Sequence, residues 1–450
     1  MIGTAHRRID TYRTPYRHLV DGYQVCFIQF ITPDVVRVTP PNPMGNDEQN
    51  RIDNWSFTRL SPPGEGGIGI FYVTGAEAER VLNHVFFPAA GETKWTEKAL
   101  QYGWLMENGE SIDEVVVRFV SADQSLTGQP AAELNTHSGP AILSRITSLL
   151  ESLGGTRIDP DTFLQRAERN GALDRLQRQA YEALLEVETR QGAAMLSNQL
   201  RGALSRSVDD LLKHLTAHQP DAEERGSIRS RLRQLIKLGK SGVAITDPRE
   251  LCILGPPNAG KSTLMNALSQ RKTSIVHEEA GTTRDVVHDT VFALGYPFRV
   301  RDTAGLRASG DRIERAGIEK AREMAEDADL VLWVAETLEE ATNPPSFVGD
   351  DHVILIRNKE DLQPDPAYGV SVQDGTELVR ISAEEEEGIQ ALREHIIRIL
   401  QLEEELPVDA PVPFREEHLQ VLERALDCCE SGNNSKAAGL VSALLDSDDE

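Results

Sequence analysis

Apolar positions follow two different periods along the chain, and the change of period divides the chain into segments. From Trp55 onward, short apolar or alternating runs are separated by stretches in which apolar residues lie three or four positions apart. The runs predict strands and the wider spacing predicts helices. The predicted strands are Gly67–Val73, Glu114–Val120 and Ala131–Thr136, and the predicted helices are Ala76–Phe86 and Pro140–Leu153. We therefore expect a small α+β domain over residues 55–158.

From residue 159 the pattern becomes helical. One apolar stripe is formed by residues three or four apart, namely Leu173, Leu176, Ala180, Leu184 and Val187. A second stripe covers residues 228–236, and the two predict the first part of a helical domain over residues 159–248. Opposite the second stripe, Arg229, Arg233 and Lys237 recur every four positions. Two interpretations of this basic face stay open, a solvated surface or an RNA contact.

A further helix is predicted at Glu416–Cys429, beyond an acidic linker at Glu403–Pro413. Residues 403–450 would hold this linker, the second part of the helical domain and an acidic tail. An α/β segment over residues 249–402 lies between the two helical parts. The pattern thus predicts a domain inserted into a helical domain, which requires the ends of the insert to lie close together.

The first 54 residues differ from the rest, because they are rich in Arg and Pro and have no sustained apolar period. Three hypotheses fit them: a disordered extension, a start codon assigned upstream of Met44, or a mitochondrial transit peptide. Asp10 and Pro15 weaken the third, so we expect a disordered or non-native extension over residues 1–54.

Composition narrows the class of protein. The length of 450 residues predicts about three domains. A formal net charge of −25 gives no long-range attraction to nucleic acid, so any RNA contact would need a local basic face. No apolar run reaches the roughly 18–20 residues that span a bilayer, so we expect no membrane association. The four cysteines show neither metal-ligand spacing nor a disulfide framework, which is typical of a protein in the reducing cytoplasm.

A phosphate-binding loop follows the apolar run Leu251–Leu254. The sequence Gly255–Ser262 has the G-x-x-x-x-G-K-S pattern, with a predicted strand before it and a predicted helix after it. In such loops backbone N–H groups surround the phosphates, the Lys reaches the β- and γ-phosphates, and the Ser hydroxyl ligates magnesium. The nucleotide contacts expected here are Gly255, Asn258, Ala259, Gly260, Lys261, Ser262 and Thr263.

Four later motifs complete a guanine nucleotide site. Asp302, Thr303, Ala304 and Gly305 follow a predicted strand at Phe298–Arg301, and Asp302 would hold the magnesium shell. Thr283 lies between the phosphate-binding loop and Asp302, and it would supply a second hydroxyl to magnesium. Asn358, Lys359 and Asp361 follow the predicted strand Val353–Ile356, and Ser382 and Ala383 would support the base. The Asp361 carboxylate would accept from guanine N1–H and from the exocyclic amine, so GTP is expected to bind in preference to ATP.

The stretch from Gly255 to Ala328 resembles the G domain of the tRNA modification GTPases, the MnmE or TrmE family. The shared phrases are Pro257–Ser262, Ala280–Asp285, Asp302–Arg307 and Ile313–Glu319. Patchier similarity covers about residues 57–430, in the stretches Ser61–Ile70, Thr127–Gly139, Thr162–Asp174 and Gln199–Ser205.

This resemblance implies how GTP would be hydrolysed. Leu306 follows Gly305, where Ras-type GTPases have a water-orienting Gln. In the family a potassium ion replaces an arginine finger, so Asn258 and Thr282 are implied potassium ligands and Glu314 the implied catalytic residue, which orients the attacking water. Two G domains pair face to face in the family, which implies a homodimer. The implied partners are GTP and GDP, tRNA and a flavin-dependent protein of wobble-uridine modification.

This sequence departs from the family at the positions for tetrahydrofolate binding and at the C-terminal Cys motif. The family's N-terminal domain holds a tetrahydrofolate with an Arg, a Glu and a Lys, where this chain has Tyr72, Gln129 and Ala172. Glu65 also stands where an Arg is usual. The glutamate tail of folate is dianionic, so we expect weak or no tetrahydrofolate binding. The family's C-terminal Cys-Ile-Gly-Lys motif is absent from this sequence, and Cys428 and Cys429 are expected to be packing residues.

The sequence therefore predicts a multidomain α/β plus α protein, with a P-loop G domain inserted in a helical domain and a small α+β domain before it. The predicted activity is hydrolysis of GTP to GDP with magnesium and potassium. The first hypothesis is a GTPase of tRNA wobble-uridine modification. The second is a divergent GTPase switch that regulates RNA or ribosome assembly without folate or modification chemistry.

Overall fold

The computed structural model describes residues 55–61, 68–90, 100–217, 221–269, 289–300, 314–349, 352–373, 375–407 and 409–446. The chain forms two compact units, of which the first ends at Ala172 and the second begins at Leu173. The expectations for residues 1–54 and for Glu65 fall outside the described ranges. The domain boundaries stay a prediction.

The first unit contains a mixed sheet. Its described strands are β1 (Ser56–Arg59), β2 (Ile68–Thr74), β3 (Phe86–Pro88), β4 (Leu100–Glu107), β5 (Glu110–Val120), β6 (Ala131–His137) and β7 (Thr156–Arg157). They are ordered β3-β4-β5-β6-β2-β1-β7, and all neighbours are antiparallel except β1 and β7. The helices are α1 (Ala78–Val85), α2 (Pro140–Ser152) and α3 (Pro160–Arg169).

One face of this sheet packs against α1 and α2. Phe57, Phe71 and Leu134 lie in this core with Leu82 of α1 and Ile146 of α2, and all five are buried. Side chains alternate between the two faces of a strand, so the neighbours of these residues point to the other side. There the register aligns Thr58 with Tyr72, Tyr72 with Glu133, and Glu133 with Arg118. This polar row (Thr58, Tyr72, Glu133 and Arg118) is buried.

Several elements of the first unit differ from the prediction. The sequence pattern did not predict β1, β3, β4 or β7, and helix α1 is shorter than expected because Phe86 pairs with Leu105 in the sheet. Strand β4 has no clean alternation of buried and exposed residues, so its signal was weak. Gly103 is required there, because a Cβ at that position would lie 2.2 Å from the Phe87 carbonyl oxygen.

The second unit begins and ends with helices. Before the inserted segment come α4 (Arg175–Glu186), α5 (Arg190–Leu200), α6 (Ala203–Thr216) and α7 (Ala222–Thr246), and after it come α12 (Glu416–Glu430) and α13 (Asn434–Ser442). Helix α12 packs against α7, and α13 packs against α6. The two ends of the unit therefore form one helical region around the insertion.

The inserted segment is an α/β domain with a mostly parallel sheet. Its described strands are β8 (Arg249–Leu254), β9 (Asp289–Ala293), β10 (Tyr296–Val300), β11 (Leu330–Ala335), β12 (Val353–Arg357), β13 (Gly369–Gln373) and β14 (Thr376–Arg380). They are ordered β13-β14-β12-β11-β8-β10-β9, with only the two edge strands antiparallel. The helices are α8 (Lys261–Leu268), α9 (Glu314–Glu326), α10 (Leu338–Thr342) and α11 (Ile389–Ile399).

The β9–β10 hairpin joins the inserted domain to the helical region. The buried Tyr296 hydroxyl donates to the Glu403 carbonyl oxygen at 2.7 Å, and the Glu403 N–H donates to Ser241 Oγ at 2.8 Å. At the hairpin turn, a Cβ on Gly295 would lie 2.3 Å from Gln191 Oε1. The hairpin is therefore in close contact with helices α5 and α7.

The predicted fold class is confirmed: a small α+β domain precedes a helical domain into which a P-loop α/β domain is inserted. Within the part of the chain that the structure describes, no helix is both long and apolar enough to cross a bilayer.

Candidate guanine nucleotide site

The loop between β8 and α8 has a backbone that only glycine allows at two points. Gly255 has φ +150°, and a Cβ there would lie 1.9 Å from the Val334 carbonyl oxygen. Gly260 has φ +88°, and a Cβ there would lie 2.2 Å from Asn358 Nδ2. The clash at Gly255 is with backbone and the clash at Gly260 is with the buried Asn358 side chain, and both positions have a positive φ, so other residues would distort the loop. The loop is thus a compact cradle at the carboxyl end of a parallel strand.

Lys261 lies folded over this cradle. Its Nζ donates to the carbonyl oxygens of Gly255 at 2.9 Å and Pro256 at 2.7 Å. Burial lowers the pKa of the Lys261 ammonium. Carbonyl oxygens are weak partners for an ammonium compared with phosphate oxygens, so the side chain is well placed to exchange them for an anion.

The other predicted loop residues surround the start of α8. Ala259 is buried, Ser262 is exposed, and Thr263 is half-buried behind it. Asn258 is exposed and has φ +64°, a left-handed conformation that Asn tolerates better than most residues. Ser262 is therefore solvent-accessible in the first turn of a helix, where phosphate groups and their magnesium ion bind in P-loop proteins.

Asn358 connects the cradle to the segment that would bind the base. It is buried, and its Nδ2 donates to the Ala259 carbonyl oxygen at 2.8 Å. Its Oδ1 accepts from the Ala383 N–H at 2.9 Å. One amide side chain therefore fixes the P-loop and the Ser382–Ala383 segment relative to each other. Ser382 and Ala383 are buried, and Ser382 Oγ accepts from the Glu385 N–H.

Asp361 has the property expected of a group that recognises guanine. Within the described residues its Oδ1 is buried and meets no hydrogen-bond partner. A buried acceptor without a donor costs about 1–3 kcal/mol, and native proteins keep few of them. The guanine N1–H and exocyclic amine are the donors that this carboxylate would match, so the site fits the base.

Lys359 lies beside Asp361, in the left-handed conformation with φ +63°. Its Nζ donates to Glu336 Oε2 at 2.6 Å. This ion pair joins the residue after β11 to the segment that follows β12. Glu336 was not predicted from the sequence, because it lies outside every motif and reaches the site only through the fold.

Several predicted site residues lie outside the described ranges. They are Thr282 and Thr283, and the four residues Asp302, Thr303, Ala304 and Gly305. Glu314 begins helix α9, of which only the backbone is described at this position. Their roles stay predictions.

Comparison with known proteins gives matches to both units. Residues 57–172 match the family model of the GTP-binding protein TrmE N-terminus, and residues 250–360 match that of the 50S ribosome-binding GTPases. The tRNA modification GTPase MnmE of Erwinia tasmaniensis is 33% identical in an alignment 417 positions long, which covers 86% of this chain and 90% of the relative. This chain belongs to the MnmE/TrmE family of tRNA modification GTPases. The predictions of this family and of a GTPase within it are confirmed.

The positions that the resemblance aligns with tetrahydrofolate contacts lie in the first unit, and the structure describes the side chain at Tyr72. Tyr72 is buried, its hydroxyl lies 3.1 Å from Ser125 Oγ, and it accepts from the Leu126 N–H at 3.2 Å. Burial raises the pKa of the Tyr72 hydroxyl, so this position carries no charge. The ring packs edge-on against Phe163. The Tyr72 side chain is therefore committed to internal contacts.

Glu133 and Arg118 complete the polar row on this face. They form a buried ion pair with 3.2 Å between Arg118 Nη1 and Glu133 Oε1, and burial raises the pKa of the Glu133 carboxyl. Gln129 is exposed and Ala172 carries no polar side-chain atom. The three positions that the resemblance aligns with the folate contacts therefore carry no cationic side chain, and weak or absent folate binding stays a prediction.

The basic face of α7 is partly neutralised within the second unit. Arg233 Nη2 donates to Glu430 Oε1 at 2.6 Å, and Lys237 Nζ lies 2.7 Å from Glu403 Oε1. Two of the three basic side chains are therefore paired with carboxylates. This arrangement favours a solvated, internally paired surface over an RNA contact at this face.

Proposed function

We propose that this chain binds GTP in the cradle of Gly255–Ser262, hydrolyses it to GDP, and uses the cycle in tRNA wobble-uridine modification. The observation that carries the nucleotide assignment is the buried Asp361 Oδ1 without a donor, beside a loop held by Asn358. The family membership supports the link to tRNA modification.

The phosphate chain would lie along the loop, with Lys261 on the β- and γ-phosphates. Magnesium would be held by Ser262 and by Thr283, and Asp302 would order its water shell. Gly305 would sense the γ-phosphate through its N–H. Asp361 and the Ser382–Ala383 segment would hold the base, with Lys359 packed beside it. The charge-assisted hydrogen bonds to Asp361 would each contribute on the order of 1.5–3 kcal/mol.

Hydrolysis would require charge neutralisation at the bond that breaks. Asn258 and Thr282 would ligate potassium, which supplies positive charge in place of an arginine finger, and Glu314 would orient the attacking water. Potassium binding needs a closed loop, so we propose that two copies of the chain pair through their G domains. A flavin-dependent partner and tRNA complete the proposed assembly.

A second candidate is a GTP-driven switch in RNA or ribosome assembly. Two observations favour it: residues 250–360 match the family model of the 50S ribosome-binding GTPases, and the folate positions hold Tyr72, Gln129 and Ala172. Such a switch would keep the GTPase cycle without one-carbon chemistry on this chain.

Calorimetric titration of the full chain with 5-formyltetrahydrofolate separates the two candidates. The loss of two or three charge-assisted hydrogen bonds predicts an affinity lower than in a folate-binding relative by roughly a hundredfold or more. A GTP titration of the same sample serves as the control for folded protein. Absence of folate binding with intact GTP binding favours the second candidate. Micromolar folate binding contradicts the expectation and favours the first.

A further inference from the structure

Glu360 is a carboxylate with no solvent exposure, and it lies between the two segments proposed to bind the base. The Arg380 Nε–H donates to Glu360 Oε1 at 3.1 Å, and the Arg380 Nη2–H donates to Glu360 Oε2 at 2.9 Å. Arg357 Nε lies 3.2 Å from the same Oε1. The buried carboxylate therefore forms a two-pronged, hydrogen-bonded pair with Arg380, and a second guanidinium lies close to it.

This carboxylate joins the turn at residue 361 to the end of β14. Arg357 and Arg380 are opposite each other in the parallel ladder of β12 and β14. The Glu360 N–H also donates to the Ile381 carbonyl oxygen at 3.1 Å. Both the backbone and the side chain of Glu360 thus fasten its turn to the strand that leads into Ser382 and Ala383.

Asp361 is the next residue in this short turn, which covers Glu360–Leu362. Its Oδ1 gains a partner only if the turn keeps the carboxylate in the plane of the bound base. Hydrogen bonds weaken steeply with distance and angle, so a small rotation of the turn would cost most of the contact.

We propose that Glu360 is a positioning residue for guanine specificity. Glu360 does not contact the nucleotide itself. It acts through Asp361, because it attaches the turn to the end of β14, the strand that leads into Ser382 and Ala383. This inference rests on the proposed GTP binding at this site.

The test compares how tightly the chain binds the magnesium complexes of GTP and of inosine triphosphate. Inosine triphosphate lacks the exocyclic amine of guanine. Calorimetry with the full chain gives the ratio of the two dissociation constants. Glu360→Gln replaces an acceptor oxygen with a donor facing Arg380 or Arg357, so the two-pronged pair is lost. We expect the preference for GTP over inosine triphosphate to fall about tenfold, which corresponds to ~1.4 kcal/mol. Binding of inosine triphosphate should change less than binding of GTP.

Glu377→Gln is the matched control. Glu377 lies on β14 and also forms a two-pronged pair, with Arg398 at 3.3 and 3.1 Å, but this pair is exposed. The same substitution there should leave the preference unchanged. Arg380→Gln is the second test variant, because it removes the pair from the other side, and circular dichroism checks that each variant is folded.

The outcomes separate this inference from the proposed function. A wild-type chain that does not bind GTP refutes the proposed function itself. A wild-type chain that prefers GTP, together with unchanged preference in folded Glu360→Gln and Arg380→Gln variants, overturns only the positioning role. Failure of both variants to fold also overturns it, because the pair would then serve stability alone.

Discussion

At the scale of single residues, the site contains polar groups that hydrogen-bond to each other and a buried carboxylate oxygen that has no partner among the described residues. Asn358 uses both its donor and its acceptor within the protein, at 2.8 and 2.9 Å. Asp361 is the contrast, since its Oδ1 is buried without a partner among the described residues. Asn358 is thus fixed by its hydrogen bonds, whereas Asp361 still lacks a hydrogen-bond donor. A bound ligand that offers such a donor would complete the site.

The potassium prediction belongs to this scale and concerns Asn258. If its side chain ligates potassium, GTP turnover in potassium should exceed turnover in sodium by about tenfold or more, given the large contribution of the charge that an arginine finger supplies. Asn258→Gly should remove this difference, and glycine also tolerates the φ of +64° at this position.

Glu314→Ala is the companion variant. It should lower turnover while it leaves GTP affinity and the preference for potassium in place, because the carboxylate acts only on the attacking water. Equal rates in potassium and sodium for the unchanged chain would mean that another group neutralises the transition state.

Much of the site follows from local sequence, and the rest follows from the fold. Gly255–Ser262, Asn358 and Asp361 could be predicted because each motif fixes its own backbone and chemistry. The pairs Glu360–Arg380 and Lys359–Glu336 could not, because their partners are 20 and 23 residues apart and meet only when the strands assemble. No period or motif in the sequence carries that information.

At the scale of elements, the sequence pattern placed the elements it predicted within a few residues but missed four strands of the first unit. Helix α12 at Glu416–Glu430 agrees with the predicted Glu416–Cys429 to one residue. Strands β1, β3, β4 and β7 were not predicted. Helices of this length have a clear stripe, whereas short strands depend on neighbours distant in sequence.

Helix α7 packs so closely against another chain segment that one of its positions requires glycine. The linker into α12 runs across it, and a Cβ on Gly242 would lie 2.0 Å from the Pro413 carbonyl oxygen. That oxygen belongs to backbone, so relief needs movement of the linker itself. The glycine therefore permits a close approach between a helix and a chain segment distant in sequence.

Gly242→Ala should therefore lower the free energy of unfolding, by about 1–3 kcal/mol as for other overpacked sites. Gly226 is the matched control on the same helix, because a Cβ there meets nothing within 4 Å. Gly226→Ala should be neutral or stabilising by up to about 1 kcal/mol, from helix propensity alone. Denaturant midpoints of the full chain measure both. Equal effects of the two substitutions would refute the close-packing argument.

At the scale of the second unit as a whole, a buried polar contact joins a helix that precedes the inserted domain to a helix that follows it. His418 of α12 lies 2.8 Å from Gln179 Oε1 of α4 through its Nε2, and its Nδ1 accepts from the Phe414 N–H. Nε2 is therefore the protonated nitrogen. Burial, with Arg415 and Arg175 nearby, lowers the pKa of His418 to about 3, so the imidazole is neutral near pH 7. A cation at this position would lose the Phe414 hydrogen bond, so the junction depends on the neutral form.

The central claim is that the full chain is a guanine-specific GTPase whose specificity rests on Asp361. The most direct test measures dissociation constants and turnover for GTP, ATP and xanthosine triphosphate, in the unchanged chain and in Asp361→Asn. We expect the unchanged chain to prefer GTP. In the variant we expect a loss of GTP affinity of roughly a hundredfold, with a shift toward xanthosine triphosphate, because an acceptor becomes a donor. Equal GTP affinity in the two proteins would refute this role of Asp361.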